Sequence, residues 1–201
     1  KAVLASKPAA YWRLDDLQYY PVAADSSPNG HPGKFEDGIA LYLPGVGSGT
    51  GISPHPELKP SNFSASNEIN RAVHIAGGRV RANIPKLSKT YSAEMWSWNG
   101  LPNNARPVTG YIFSRGNDGD PDANGDHLGI AGTHVPGSEG RLIVFNGNKA
   151  NELLTGHTVL QPRTWHHVAM VRDADKVTVY LDGKTEPEIS GKISSTFPAD
   201  S

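Results

Sequence analysis

The chain has 201 residues, of which 37% are hydrophobic, with 19 Lys+Arg set against 20 Asp+Glu for a formal net charge of −1. That length suits a single β domain spanning residues 1–201. A near-neutral chain with no basic tract offers little to nucleic acid or to an anionic membrane surface. The absence of cysteine excludes disulfides, zinc–thiolate sites and thiol nucleophiles, and no apolar run reaches the ~18 residues that would span a bilayer.

The chain starts at Lys1 without a methionine, as expected of a processed or excised piece of a longer protein. Residues 8–16, containing Tyr11-Trp12-Arg13-Leu14-Asp15, predict an opening strand. Asp25-Ser26-Ser27-Pro28-Asn29-Gly30 is dense in turn formers, and short strands are expected at 33–35 and 39–43. Residues 44–66 are rich in Gly, Pro, Ser and Asn with little periodicity, and predict a long loop or insertion. Strands resume at 72–75 and 79–84 around Gly77-Gly78. In the second of these, Val80, Ala82 and Ile84 alternate with Arg79, Arg81 and Asn83, the mark of a half-buried strand. Further strands are predicted at 91–98, 108–114, 127–131 and 141–145. Then come two strand-like runs, 164–173 and 176–184, on either side of a four-residue polar turn, the second closing on Asp182-Gly183, a favoured tight-turn pair. Residues 186–189 predict a short edge strand. No segment of ten or more residues carries a helical apolar stripe. The fold class is all-β, a two-sheet antiparallel sandwich.

The run Trp165-His166-His167-Val168-Ala169-Met170-Val171-Arg172-Asp173, followed by Val177-Thr178-Val179-Tyr180-Leu181-Asp182-Gly183, resembles the penultimate hairpin of laminin-G-like, concanavalin A-like jelly-roll domains. Tyr11-Trp12-Arg13-Leu14-Asp15 is similar to their opening strand. The resemblance implies a jelly roll and, for most members, a recognition module rather than an enzyme. It also implies a closing strand that this chain lacks, so that a missing piece or another chain would complete the sheet.

Between Gly116 and Asp126, oxygen-bearing side chains recur at every second position: Asp118, Asp120, Asp122, Asn124 and Asp126. Calcium takes six to eight hard oxygen ligands, and such a loop can wrap one. Asp120-x-Asp122-x-Asn124-Gly125 matches the first half of an EF-hand loop, but Ala131 stands where a bidentate glutamate would be needed. A solvated hairpin tip of turn-forming residues is the competing reading. A structural calcium at the sandwich rim, which the resemblance implies, nominates Asp25 with Asn29; by its residues alone, Asp25 is an Asx-turn former.

Trp96 and Trp98 lie two apart, so their rings share one face of a strand, and Glu94 shares that parity. Such a strip could stack sugar rings and hydrogen-bond their hydroxyls, with core packing as the competing role for at least one tryptophan. His166 and His167 are adjacent, point to opposite faces and cannot chelate one ion together. Glycosidases need two carboxyl groups flanking the scissile bond, and the 94–98 strand offers only Glu94. No catalytic residues are nominated. The expectation is therefore a non-catalytic recognition or adhesion module of a larger exported protein, in the extracellular space or cell envelope. It would bind a glycan or protein ligand with the help of structural Ca²⁺ and adjoin neighbouring domains of a parent chain. The alternatives are an accessory domain packed against a catalytic neighbour, and a glycoside hydrolase or lyase.

Overall fold

The computed structural model describes residues 2–16, 21–46, 70–84, 87–117, 119–148 and 152–197. These form two compact units, Lys1–Pro85 and Lys86–Ser201. Apart from one helical turn at Ala2–Ala5, the regular structure is antiparallel β. The long loop predicted at 44–66 falls largely outside the described residues.

In the first unit, β1 (Val22–Ala23), β2 (Gly33–Glu36) and β5 (Arg79–Arg81) make one sheet, and β3 (Ile39–Pro44) pairs with β4 (Arg71–Ile75) in another. Glu36 takes Arg79 and Arg81, its neighbours across the β2–β5 pairing, at 2.6 and 2.5 Å. The predicted opening strand is not one. Residues 8–16 contribute a single bridge, Trp12 to Asp25, because the N–H of Tyr11 goes to the Asp25 carboxylate and Leu14 adopts a left-handed φ of 57° that breaks an extended run.

The second unit holds two four-stranded antiparallel sheets. One runs in the order β13 (Ile189–Lys192), β12 (Lys176–Leu181), β11 (Trp165–Asp173), β6 (Thr90–Trp98). The other runs β10 (Leu154–Val159), β9 (Arg141–Asn146), β8 (Gly125–Ala131), β7 (Val108–Gly116). Strand alternation sorts the side chains. Val168 and Met170 of β11, Val177, Val179 and Leu181 of β12, Leu128 and Ile130 of β8, and Leu142 and Val144 of β9 meet in one buried core. The β11–β12 hairpin turns through Ala174-Asp175. After β12, Asp182 and Gly183 both take left-handed φ, 55° and 70°, and Lys184 N–H closes the turn on Leu181 C=O at 3.1 Å. This is the conformation for which an Asp-Gly pair is suited.

Charge also enters this core. Asp126 and Arg172 are both fully buried. Asp126 Oδ2 lies 3.0 Å from Arg172 Nε and accepts the Tyr91 hydroxyl at 2.6 Å, while Oδ1 accepts Asn146 Nδ2 at 3.0 Å. Arg172 donates its Nη1 to Asp175 C=O at 3.2 Å and its Nη2 to Ser194 C=O. Tyr91 and Arg172 face each other across β6–β11, and Asp126 and Asn146 across β8–β9. The carboxylate thus joins one sheet to the other. Burial, and then the charge of Asp126, push the Tyr91 phenol far above its ordinary value and keep it a hydrogen-bond donor. Beside it, Arg115 donates to Ser88 and Leu87 carbonyls at 2.6 and 2.7 Å and stacks on Phe197 at 4.0 Å.

A second polar tie sits at the sheet margins. The strand predicted at 186–189 appears instead at Ile189–Lys192, and Glu188 before it is 6% exposed. Its Oε1 accepts the N–H of both His157 and Thr158 at 2.6 Å, and Oε2 the Thr158 hydroxyl at 2.8 Å. Successive N–H groups of a regular strand point to opposite sides. An irregularity in β10, where the register shifts between Thr155 and Val159, lets both reach one oxygen.

Removing one member of the buried ion pair strands the other. Arg172→Met should therefore cost about 3–5 kcal/mol in urea unfolding, and Arg172→Met with Asp126→Leu substantially less than that. A single-variant loss below about 1 kcal/mol would show that the pair is not desolvated as described.

Candidate functional site

The acid-rich loop separates into parts. Asp126 begins the inward series Asp126, Leu128, Ile130 because β8 starts at Gly125. Its oxygens serve Arg172, Tyr91 and Asn146, so it does not face Asp120 and Asp122. Asp120 is held by its own loop: Oδ1 accepts Asp122 N–H at 2.9 Å, and Asn124 Nδ2 lies 3.1 Å from Oδ2. Asp122 is exposed, and Asp118 lies outside the described residues. Among the described residues, no three His, Cys, Asp or Glu side chains converge to hold a metal. The geometry of the described part is that of an Asx-turned loop.

Asp25 is likewise fully engaged. Oδ1 accepts the N–H of Tyr11 and of Ser27, both at 2.8 Å; Oδ2 accepts Ser27 Oγ and His31 N–H, also at 2.8 Å. Partial burial acts to raise its pKa, but the four donors outweigh that and hold it at about 2. Asn29 uses its amide on Pro8 and Ala9 carbonyls at 2.9 and 3.0 Å. Together these residues pin the 8–12 segment to the 25–31 turn, with no carboxylate oxygen of Asp25 left over.

The aromatic strip does come together. In β6 the inward residues are Tyr91, Ala93 and Met95, so Glu94, Trp96 and Trp98 occupy the outer face of their sheet. Both tryptophans are half-buried and Glu94 is exposed. The register with β11 adds residues that spacing within β6 does not reveal. Trp165 stands opposite Trp98, His167 opposite Trp96 and Ala169 opposite Glu94. The Trp96 and His167 rings are 5.0 Å apart and tilted by 52°. His166 points inward, its Nδ1 2.9 Å from Asp182 Oδ2, so the adjacent histidines serve opposite faces.

Trp98 and Trp165 share a further property. Each indole N–H is enclosed and has no acceptor among the described residues. Such a donor costs about 1–3 kcal/mol. Gly100 packs against the Trp98 ring, where a Cβ would lie 2.7 Å from Cζ3. The other carboxylate of these two strands on this face, Asp173, is four residues from Ala169. That places it ~13 Å along the strand from the Glu94 row, well beyond the ~5–9.5 Å carboxyl separations that glycoside hydrolysis uses.

Residues 73–201 match the laminin-G family model described as the concanavalin A-like lectin/glucanases superfamily. No curated protein and no solved structure matches the chain.

The Asp25 geometry sets a pH dependence. A carboxylate held below its ordinary 3.8 at about 2 contributes stability above pH ~4 that is lost as pH falls toward 2. Protection factors of the Tyr11, Ser27 and His31 amides, relative to their intrinsic exchange rates, should fall over that window. In Asp25→Ala they should already be low at neutral pH. Protection unchanged in the variant would rule out the carboxylate as the clasp.

Proposed function

Because this chain belongs to the concanavalin A-like lectin/glucanases superfamily, a carbohydrate- or protein-binding module at the coarse level, we propose that it is a non-catalytic glycan-recognition module of a larger exported protein. The observation that carries this is the outer face of the β6–β11 pair, where the half-buried Trp96, Trp98 and His167 gather beside the exposed Glu94, with the buried Trp165 opposite Trp98. Aromatic rings supply flat apolar surface to the C–H faces of a sugar. The exposed Glu94 carboxylate supplies an acceptor for its hydroxyls. The distance between the Glu94 and Asp173 rows supports binding without hydrolysis.

Calcium belongs to this reading through the oxygen-rich sequence of the 118–124 loop, and there Asp120 would have to exchange its bonds to Asn124 and Asp122 for the ion. Such a site matches the weak, extracellular class of calcium modules, with dissociation constants of about 0.1–1 mM.

A glycan array followed by calorimetry on the best oligosaccharide tests the binding face. Trp96→Ala should weaken binding about tenfold while leaving the fold intact, as loss of an aromatic contact of roughly 1 kcal/mol or more predicts. No ligand on the array, or full affinity in Trp96→Ala, would remove this face from consideration. For calcium, the melting temperature should rise by a few degrees between EDTA and about 5 mM Ca²⁺, and Asp120→Asn should abolish the rise. Identical melting curves would end the calcium component and leave the glycan reading standing.

A further inference from the structure

A second aromatic surface lies on the outer side of the other sheet. Phe113 pairs with Leu128 and Arg115 with Asp126 on the core side, which turns Tyr111, Ser114 and His127 outward. Phe145 of β9, the partner of His127, joins them. The ring centroids are 4.9 Å apart for His127–Phe145, 6.2 Å for Tyr111–His127 and 6.3 Å for Tyr111–Phe145. Gly129 stands opposite Tyr111, and a Cβ there would lie 3.5 Å from Tyr111 Cδ1, so the ring rests across the space the glycine leaves. Tyr111 is 59% exposed, more than a ring held for packing would be.

The shelf is fixed in place. His127 Nε2 lies 3.0 Å from Ala123 C=O, which can only accept, so Nε2 carries the proton. In the neutral ring Nδ1 then accepts from Ser114 Oγ at 3.1 Å. The Ala123 contact also brings the acid loop to the shelf's edge. Asn148, three residues beyond Phe145, closes the same corner: its N–H donates to Asp122 C=O at 2.9 Å and its Nδ2 to Pro121 C=O at 3.4 Å. Asp122, Asn148 and Ser114 are all exposed at this rim.

We propose that this shelf is a carbohydrate-stacking site separate from the tryptophan face, and that the sugar it takes is neutral or amine-bearing rather than acidic. The accessible surface is aromatic, and its aliphatic neighbour on that face, Ile143, is buried. That composition suits the C–H face of a pyranose, while the Ser114 hydroxyl, the Asp122 carboxylate and the Asn148 amide meet ring hydroxyls. Charge decides between sugar classes. Asp122 is exposed at the rim beside the rings, while Arg141, on the same face of β9, is four residues and ~13 Å from Phe145, so the nearer charge repels a sulfate or uronate and attracts an ammonium, itself favoured over aromatic faces. The two aromatic surfaces lie on opposite sides of the shared core, so one module could engage two glycan segments at once.

Calorimetry of the full chain with cellohexaose, chitosan hexamer and a hexamer of galacturonic acid tests this. The first two should bind and the third should not. Tyr111→Ala should weaken binding at this site about fivefold or more, the size expected for loss of one stacking ring. Tyr111→Phe should stay within about twofold, because the ring is kept. In a Trp96→Ala background, where the tryptophan face no longer contributes, binding of the first two should persist and Tyr111→Ala should then remove it. Preference for galacturonate, absence of binding to all three, or binding lost in Trp96→Ala and kept in Tyr111→Ala would each overturn the proposal.

Discussion

A carboxylate from one sheet, Asp126, is held in the dry interior by a guanidinium and a phenol from the other, Arg172 and Tyr91. Aliphatic packing alone tolerates small slides between sheets, because one Val or Leu contact resembles the next. A buried ion pair does not tolerate them, since moving either partner by one residue leaves a charge with neither water nor counterion. The same arginine also reaches the carbonyls of Asp175 and Ser194, so the hairpin turn and the C-terminal segment are referred to the same point. Arg115 and Phe197 stack beside it. The positions of the outward-facing rings follow from this, because strand parity transmits the inner register to the outer faces.

The two outer faces then differ in kind. On one, Trp96, Trp98 and His167 are half-buried and Trp165 is buried, and the indole donors of Trp98 and Trp165 are enclosed with no acceptor among the described residues. On the other, Tyr111 projects into solvent over a glycine, with His127 clamped from both ring nitrogens. Neither surface is made by a loop alone. Each stands on hydrogen-bonded strands, which holds the geometry of a stacking platform better than a flexible tip would.

Part of this was legible in the sequence, where period-two alternation was clean. Val177, Val179 and Leu181 announce both a strand and its buried side, and Asp182-Gly183 announces the turn after it. The shared face of Glu94, Trp96 and Trp98 was also readable from spacing. Their company was not, because Trp165 and His167 join them only through cross-strand register. β10 is not legible in the sequence, since Thr155, Gly156, His157 and Thr158 carry no alternation; the strand depends on its pairing to β9 and on Glu188. Residues 8–16 looked extended, but one carboxylate at Asp25 organises them instead. Asp126 sits among the loop acids in sequence, and beginning a strand at Gly125 is enough to turn it inward.

Glu188 carries a consequence for solubility. An outermost strand normally displays free amide hydrogens that invite a strand from another molecule, the first step of edge-to-edge aggregation. At the irregular stretch of β10, two of those hydrogens are already occupied by one carboxylate of the same chain, and the bend there removes the straight template an intruder would copy. The side chain that fastens the margin of the sheet therefore also guards it.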